Sequence, residues 1–226
     1  MINLKINGIS VQAEAGTTLL EAARFYGLEI PTLCHLEGLS PYGACRLCVV
    51  EIGEESRSRL ASSCTYPAEE GLKVRTASER VIKARKMILE LLLASCPQSK
   101  VIQDLASKYG IRRQRFRQEH EDCILCGLCV RMCKEQMSAQ AIGFHGRGNK
   151  RGISTPFDLK SEVCRLCGGC IHVCPACQLR CTYNQPEEAI CGGCANISPP
   201  CLEKEKFHDM MCYMDPCVAC EIKNEK

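Results

Sequence analysis

Residues 123–133, CILCGLCVRMC, and residues 164–174, CRLCGGCIHVC, repeat one cysteine pattern that decides the fold of the second half of the chain. Each run reads C-x2-C-x2-C-x3-C, the spacing that wraps a short loop around a cubane so that thiolates converge on its irons. In such pairs the fourth cysteine of each run binds the cluster of the other run. The pattern therefore predicts two [4Fe–4S] sites, one held by Cys123, Cys126, Cys129 and Cys174 and the other by Cys164, Cys167, Cys170 and Cys133.

Zinc is the competing metal for any C-x2-C pair. The triple close spacing with a fourth cysteine differs from the paired knuckles of zinc ribbons, so the pattern favours iron. Three glycines in the runs, Gly127, Gly168 and Gly169, let the backbone approach inorganic sulfides. Backbone N–H groups there would stabilise the reduced form.

The chain holds 21 cysteines in 226 residues, which fits either a disulfide-bonded secreted protein or a metal-binding cytosolic one. Its start, MINLKINGIS, has no basic segment followed by an apolar run, so we expect no signal peptide. The odd cysteine count and the C-x2-C pairs also favour metal over disulfides. The longest apolar stretch, residues 87–94, is interrupted by Glu90 and is too short to span a bilayer. We therefore expect a soluble cytoplasmic protein without direct membrane insertion.

The formal net charge of +3 is close to neutral for this length. One basic cluster stands out, formed by Arg112, Arg113, Arg115 and Arg117. We interpret it as a solvated helix face or linker rather than a docking patch for an acidic partner. No aromatic interleaving or recognised binding motif accompanies these arginines, so we expect no nucleic-acid partner.

The first part of the chain has the element order of a β-grasp fold. Residues 2–6 and 9–13 alternate apolar and polar around Asn7-Gly8, a strong hairpin signal. A helix is predicted from Thr17 to Tyr26, and further strands are predicted at 49–52 and around Val74. The helix should end at Gly27 and bury Leu19, Leu20, Ala23 and Phe25. A third cysteine set follows it with the spacing C-x10-C-x2-C-x15-C: Cys34, Cys45, Cys48 and Cys64.

A helical bridge is predicted between the two cysteine-bearing parts. Thr76 and Glu79 stand at capping-box spacing and predict a helix that runs to Ser95. Its apolar residues at helical spacing are Val81, Ala84, Ile88, Leu91 and Leu92. A second helix is predicted over 101–109, before the basic linker. Between the two later cysteine runs, residues 142–144 and 152–154 are predicted to form a hairpin.

The segment after Cys181 is rich in proline and cysteine and has few large apolar residues. Ordering its backbone costs about 1–2 kcal/mol per residue, which so little apolar area cannot offset, so we expect metal to hold it. The candidate ligands are Cys177, Cys181, Cys191, Cys194, Cys201, Cys212, Cys217 and Cys220. We favour an additional [4Fe–4S] cluster on Cys191, Cys194 and Cys201, with a further [4Fe–4S] cluster or a zinc ion as the alternative use of the remaining cysteines. His208 is left out of this assignment.

The stretch at 30–52, IPTLCHLEGLSPYGACRLCVVEI, and that at 60–76, LASSCTYPAEEGLKVRT, resemble the N-terminal [2Fe–2S] domain of the electron-input subunit of respiratory complex I. They resemble equally the diaphorase small subunit of NAD-reducing hydrogenases and the N-terminal region of iron-only hydrogenases. The later motifs EDCILCGLCVRMCKE, TPFD and CRLCGGCIHVCP extend the resemblance to about residue 175. It implies that a [2Fe–2S] cluster is held in a ubiquitin-like fold by Cys34, Cys45, Cys48 and Cys64.

The chain departs from this family at two places. Most members carry a histidine and three cysteines after the bridging helix, which bind an additional [4Fe–4S] cluster. Residues 93–110 here read LASCPQSKVIQDLASKYG, with Cys96 alone, so that cluster is expected to be missing. We interpret Cys96 as a structural thiol, since small buried cysteines are common. The second departure is the tail, where the family's CPTGAL is replaced by CPACQLRC.

The predicted architecture is α+β. It has a [2Fe–2S] plant-type ferredoxin-like domain at 1–77, a helical bridge and basic linker at 78–119, a two-cluster [4Fe–4S] ferredoxin-like domain at 120–180, and an irregular Cys-rich metal-held tail at 181–226. No G-x-G-x-x-G follows a strand, and no nucleophile and base stand together. We therefore expect no catalytic site in this chain.

The expected function is electron relay in a multi-subunit cytoplasmic oxidoreductase of anaerobic metabolism. The expected partners are a flavin/NAD(P)H-binding subunit and a catalytic subunit such as a hydrogenase, a formate dehydrogenase or an electron-bifurcating enzyme, with ferredoxin as a possible further partner. Two alternatives stay open at this point. One is a free-standing polyferredoxin, and the other is a redox or metal sensor whose tail is ordered by metal.

Overall fold

The computed structural model describes residues 1–54, 57–112, 115–118, 123–159, 161–165 and 167–176. The chain forms two compact units, the first comprising Met1–Leu92 and Leu105–Arg117, the second Leu93–Asp104 and the chain from Gln118 onward. The predicted tail ligands Cys177, Cys181, Cys191, Cys194, Cys201, Cys212, Cys217 and Cys220 lie outside the described residues, as do Arg113 and His208.

The first unit contains a five-stranded mixed sheet with the strand order β2-β1-β5-β3-β4. Its strands are β1 (Ile2–Ile6), β2 (Ile9–Ala13), β3 (Val49–Ile52), β4 (Arg59–Ser62) and β5 (Lys73–Arg75). Strands β1 and β5 are parallel, and the other neighbours are antiparallel. This topology confirms the β-grasp prediction. Strand β4 was not predicted, because its partly exposed RLAS sequence at the sheet edge shows no apolar alternation.

The hairpin and the first helix follow local sequence signals. Asn7 (φ 51°) and Gly8 (φ 85°) form the predicted two-residue turn between β1 and β2. Helix α1 (Leu19–Phe25) begins after Thr18, which forms a reciprocal capping box with Glu21. The prediction for Phe25 was wrong: its side chain is 84% exposed and packs edge to face on Tyr26. Ala22 is buried instead, one helical turn before Phe25.

The core of the first unit lies between the sheet and α1. Inward residues of β1 and β2 alternate as predicted, and they pack with Leu19 and Leu20 of the helix. Fully burying one such side chain contributes about 1.5–3 kcal/mol. Cys48 and Cys64 belong to the same buried cluster, so the core directly supports two of the predicted cysteine ligands.

The N-terminal cap of helix α2 (Glu79–Ser95) is Ser78, two residues later than the predicted Thr76. The Oγ of Ser78 accepts from the N–H of Val81 at 3.4 Å, whereas Thr76 is used elsewhere, since its N–H donates to Oδ1 of Asn7 at 2.8 Å. The predicted apolar face is only partly buried. Val81 is fully buried, but Leu91 is 49% exposed. The buried residues of α2 are Val81, Arg85, Leu89, Glu90 and Ala94.

Glu51 on β3 joins the sheet to the start of α2. Its carboxylate accepts from the hydroxyls of Ser58 (2.6 Å) and Ser78 (2.5 Å) and pairs with Arg75 at 3.2 Å. The two serine hydroxyls, and then Arg75, lower the pKa of Glu51 to about 2. Since Ser78 also caps α2, one buried carboxylate fixes a strand, a loop and a helix N-terminus.

Helix α3 (Lys100–Lys108) is followed by the basic linker. Within the first unit, Arg115 donates from Nε to Oε2 of Glu90 at 2.6 Å. The Arg115 side chain remains 61% exposed, whereas that of Glu90 is 12% exposed. At least this member of the predicted solvated cluster is therefore ion-paired, and it ties the linker to α2.

The second unit is built on a short hairpin and two one-turn helices. Strands β6 (Gly143–His145) and β7 (Gly152–Ser154) pair as predicted. Helices α4 (Leu128–Arg131) and α5 (Gly169–His172) each begin after a glycine with positive φ, Gly127 (69°) and Gly168 (68°). The helix within each cysteine run thus starts after a left-handed glycine. In the described part of the chain, no helix has the length and apolar character needed to cross a bilayer.

Candidate metal centres

Four cysteine thiols meet in the interior of the first unit. Cys34 lies in the loop after α1, Cys45 and Cys48 lie before β3, and Cys64 follows β4. Each is at most 5% exposed. Sγ of Cys48 and Sγ of Cys64 are 3.3 Å apart, well beyond the roughly 2.05 Å of a disulfide bond. None of the thirteen described cysteines forms a disulfide bond.

The electrostatics link these four thiols into one group. Hydrogen bonds from the thiols of Cys45 and Cys64 lower the pKa of Cys34, and the same contacts raise the pKa of both donors. The Cys64 thiol also lowers the pKa of Cys48 to about 6. The group therefore holds two acidic and two proton-retaining thiols, and a bound metal would displace the remaining protons.

Backbone N–H groups surround the sulfur atoms of this group. The N–H of Cys45 donates to Sγ of Cys34 at 3.4 Å, and that of Ala44 also lowers the Cys34 pKa. The N–H groups of Leu33 and Leu47 act in the same direction on the pKa of Cys45. The loop reaches this shape through positive φ at Gly43 (69°) and Arg46 (61°). Donors around ligating sulfurs adjust the reduction potential of an iron–sulfur centre.

In the second unit, cysteines of both runs act on the buried Cys129 and on the half-buried Cys170. Burial raises the pKa of Cys129, and the next causes are the charges of Cys126, Cys174 and Cys123. Burial likewise raises the pKa of Cys170 to about 12, followed by the charges of Cys167, Cys133 and Cys164. Cys174 thus acts on Cys129 of the first run, and Cys133 acts on Cys170 of the second, as crossed ligation would require.

A pocket in the second unit collects one complete predicted ligand set. It is lined by Cys133, Cys164, Cys167 and Cys170, and the remaining lining is mostly apolar, including Met137, Ala139, Ala141, Ile142 and Ile171. Cys133 is placed by a π-helical turn over Met132–Gln136, a distortion that occurs frequently at functional sites. The N–H of Ala141 donates to Sγ of Cys133 at 3.2 Å.

These donor sets are thiols alone, which are soft ligands suited to iron–sulfur clusters. Over the described ranges, no three or more Cys, His, Asp or Glu side chains converge so as to hold a single metal ion. The fit of these thiols to iron–sulfur clusters therefore rests on three observations: cysteines of both runs act on one another, backbone N–H groups donate to the sulfurs, and four cysteines line one pocket. Cys96 is 1% exposed, as expected of a structural thiol.

One residue of the first site was missed in the sequence. The buried guanidinium of Arg85 on α2 donates to the carbonyls of Leu47 (3.1 Å) and Val49 (2.7 Å), which flank Cys48. The available signal was an arginine at the i+4 position from Val81 and the i−4 position from Leu89. A charged residue does not stand out in the apolar pattern that indicates a buried helix face.

Two family models match the chain. A 2Fe-2S iron-sulfur cluster binding domain matches residues 1–79, and a 4Fe-4S dicluster domain matches residues 122–185. The first match contains the four-thiol group of the first unit, and the second contains both cysteine runs. The chain thus carries a 2Fe-2S cluster binding domain followed by a 4Fe-4S dicluster domain.

Curated relatives are similar to this chain over part of their length. The NADH-ubiquinone oxidoreductase 75 kDa subunit of Reclinomonas americana is 34% identical, over 77% of this chain and 28% of that protein. NADP-reducing hydrogenase subunit HndD of Solidesulfovibrio fructosivorans is 32% identical, over 77% of this chain and 35% of that protein. The chain therefore spans about a quarter to a third of the length of these relatives.

A solved structure matches over most of both chains. The crystal structure of NAD+-reducing [NiFe]-hydrogenase in the H2-reduced state contains a chain that is 31% identical, with a TM-score of 0.61. The match covers 68% of this chain and 74% of that chain. The protein therefore belongs to the iron–sulfur family of the NADH-ubiquinone oxidoreductase 75 kDa subunit and of these hydrogenase chains.

Proposed function

We propose that this chain is an iron–sulfur electron-relay subunit of a multi-subunit cytoplasmic oxidoreductase. It carries single electrons between a flavin/NAD(P)H-binding subunit and a catalytic subunit. The observation that carries this proposal is the grouping of buried and half-buried thiols into separate sets, each joining cysteines that are distant in sequence. The proposed [2Fe–2S] ligands are Cys34, Cys45, Cys48 and Cys64. The proposed [4Fe–4S] ligands are Cys123, Cys126, Cys129 and Cys174 for one cluster, and Cys164, Cys167, Cys170 and Cys133 for the other.

The residues of the chain have distinct tasks in such a relay. Bound clusters supply one-electron redox couples, and the polypeptide supplies ligands, orientation and electrostatics. The thiols of the first unit are excluded from water, and the N–H groups of Ala44 and Cys45 face Sγ of Cys34. In the second unit a mostly apolar lining surrounds Cys133 and Cys170, which are half-buried. Both arrangements favour electron transfer without proton exchange at the sulfurs.

The partners are proposed from the names of the matched relatives. These names include NADH, NADP or NAD+, and two of the relatives are hydrogenases. We therefore place a flavin/NAD(P)H-binding subunit on one side of this chain. On the other side we place a hydrogenase, a formate dehydrogenase or an electron-bifurcating enzyme of anaerobic metabolism, with ferredoxin as a further partner. Thiols that bind metal must stay reduced, and the described cysteines form no disulfides, which supports a reducing compartment such as the cytoplasm.

The domain limits and the tail remain part of the proposal. We assign 1–77, 78–119, 120–180 and 181–226 to the first cluster domain, the bridge, the dicluster domain and a metal-binding tail. The tail would hold one or two further [4Fe–4S] clusters or a zinc ion. The three clusters assigned elsewhere amount to about ten irons per chain. One tail cluster raises that number to about fourteen, whereas a tail zinc leaves it at about ten and adds zinc.

The test is anaerobic purification of the full chain, followed by metal analysis and electron paramagnetic resonance after dithionite reduction. We expect at least about ten irons and separable signals from one [2Fe–2S] and two [4Fe–4S] centres. Zinc without iron would overturn the proposal. Native size measurement of the extract then addresses the role: co-migration with a flavoprotein supports a relay subunit, whereas a free 25.0 kDa species contradicts it.

NAD(P)H provides the second readout. The clusters should become reduced by NAD(P)H when the co-purifying flavoprotein is present, and they should remain oxidised when the chain is alone. Direct reduction of the isolated chain by NAD(P)H would contradict the assignment of nucleotide binding to a partner.

A further inference from the structure

Arg85 is a charged residue in the interior of the first unit. It lies in the middle of α2 and is 3% exposed, in line with the fully buried Val81 and Leu89. Its guanidinium makes three hydrogen bonds: Nε donates to the carbonyl of Leu47 at 3.1 Å, Nη2 to the carbonyl of Val49 at 2.7 Å, and Nη1 to the hydroxyl of Tyr109 at 3.1 Å.

The two carbonyls belong to the segment that carries Cys45 and Cys48. Leu47 lies between these cysteines, and its own N–H faces the sulfur of Cys45. Val49 directly follows Cys48. The segment is therefore held from two sides, because N–H groups point at sulfur while carbonyl groups point at the guanidinium. Arginine suits this task because its planar fork fixes several acceptors in one geometry.

The charge of Arg85 has no acidic partner among the described carboxylates, since its three acceptors are neutral oxygens. A buried cation that faces only neutral groups is costly, and arginine does not lose its proton in proteins. The nearby thiol group can supply the missing negative charge. Four thiolates around a [2Fe–2S] centre leave a net negative charge, which increases by one unit on reduction.

We propose that Arg85 is a positioning and charge-compensating residue of the [2Fe–2S] site. It holds the loop around Cys48 through two carbonyls, and its positive charge favours the reduced cluster. This inference rests on the proposed ligand set, and the two fail in different ways. If the wild-type chain lacks a [2Fe–2S] centre, the proposed function fails. If the centre is present but its reduction and its resistance to chelators do not depend on Arg85, only this inference fails.

The experiment is a redox titration of the full chain, loaded with its clusters, in which the [2Fe–2S] signal is followed by electron paramagnetic resonance. Arg85→Gln removes the charge and keeps two donors. We expect the ratio of reduced to oxidised cluster at a fixed potential to fall at least tenfold, which is a shift of about 59 mV to more negative potential for one electron. Lys86→Gln, an exposed residue on the same helix, is the matched control and should change that ratio less than twofold.

Arg85→Lys separates charge from geometry. It should keep the ratio within about threefold of the wild type, because the positive charge remains. It should also lose iron to a chelator several-fold faster, because the fork that holds both carbonyls is gone. A wild-type ratio in Arg85→Gln overturns the charge role, and so does a tenfold fall in Arg85→Lys. Wild-type chelator resistance in Arg85→Lys overturns the positioning role. If Arg85→Gln does not load its cluster, the ratio and the chelator resistance of Arg85→Lys alone test the proposal.

Discussion

The proposed crossed ligation, in which the fourth cysteine of each run binds the cluster of the other run, predicts how many iron atoms each cysteine variant loses. Cys129 has Cys126 and Cys174 among its charged neighbours, whereas Cys170 has Cys133. Cys126 and Cys174 should therefore serve one cluster, although Cys174 belongs to the other run. Replacing Cys126 by alanine should remove one [4Fe–4S] cluster, which is about four of the irons in the chain.

The decisive comparison uses two double variants. Cys126→Ala with Cys174→Ala removes two ligands of the same cluster, so the loss should stay at about four irons. Cys126→Ala with Cys133→Ala removes one ligand from each cluster, so the loss should rise to about eight. This is a double-mutant comparison in which two changes at one site are non-additive and changes at separate sites add.

The assay is iron per chain after anaerobic purification, with the [2Fe–2S] signal of the first unit as the internal standard for folded protein. Reversed losses, about eight for the pair Cys126 and Cys174 and about four for the pair Cys126 and Cys133, would refute crossed ligation. A loss of about eight from Cys126→Ala alone would refute the treatment of the two clusters as separate sites.

Three further predictions concern the surroundings of these sites. Glu51→Gln weakens or removes two charge-assisted hydrogen bonds from serine hydroxyls, which should lower the stability of the folded state by about 2 kcal/mol. The amides of β3 in the cluster-loaded protein should therefore exchange with solvent about 30-fold faster. Because the pKa of Glu51 in the folded protein is about 2, below its ordinary value, this difference should be constant from pH 7 to about 5 and decline only in stronger acid. Glu54→Gln, at an exposed position, is the control. Equal exchange rates in the two variants would contradict the role of Glu51. Cys96→Ala should leave iron content unchanged, and a loss of about four irons would make Cys96 a ligand. Arg115→Gln should lower the stability of the folded state by about 1 kcal/mol or less, since the Arg115 side chain is largely exposed. The measurement is hydrogen exchange of the linker amides. A larger loss of their protection would show that the ion pair with Glu90 stabilises the linker more strongly than an exposed pair does.

Much of this fold could be predicted because the decisive signals are local. The Asn7-Gly8 turn needs only two residues that tolerate positive φ, and the strands beside it show their faces by simple alternation. The cysteine runs are equally local, because three ligands of each cluster lie within one short loop. Crossed ligation stays a prediction from the repeat, and the charges that act on Cys129 and Cys170 are consistent with it.

The errors arose where tertiary contacts decide. Thr76 matches a helix cap in sequence, but Asn7 in the distant hairpin binds it, and Ser78 becomes the cap because Glu51 holds its hydroxyl. Phe25 continues an apolar pattern past the point where α1 turns away from the core. Arg85 is hidden by its own residue type, because only the folded loop reveals the carbonyls that make a buried arginine favourable.

The two intertwined thiol sets also bear on the order of events in the cell. A growing polypeptide exposes Cys123, Cys126 and Cys129 well before Cys174 is translated, so the first cubane has no fourth thiolate until the whole repeat has left the ribosome. If ligation is crossed, the two [4Fe–4S] clusters are therefore expected to form only after Cys174 has been translated, and truncated products ending before the second run should lack them. Late assembly of this kind would keep incomplete, oxygen-sensitive iron centres from accumulating.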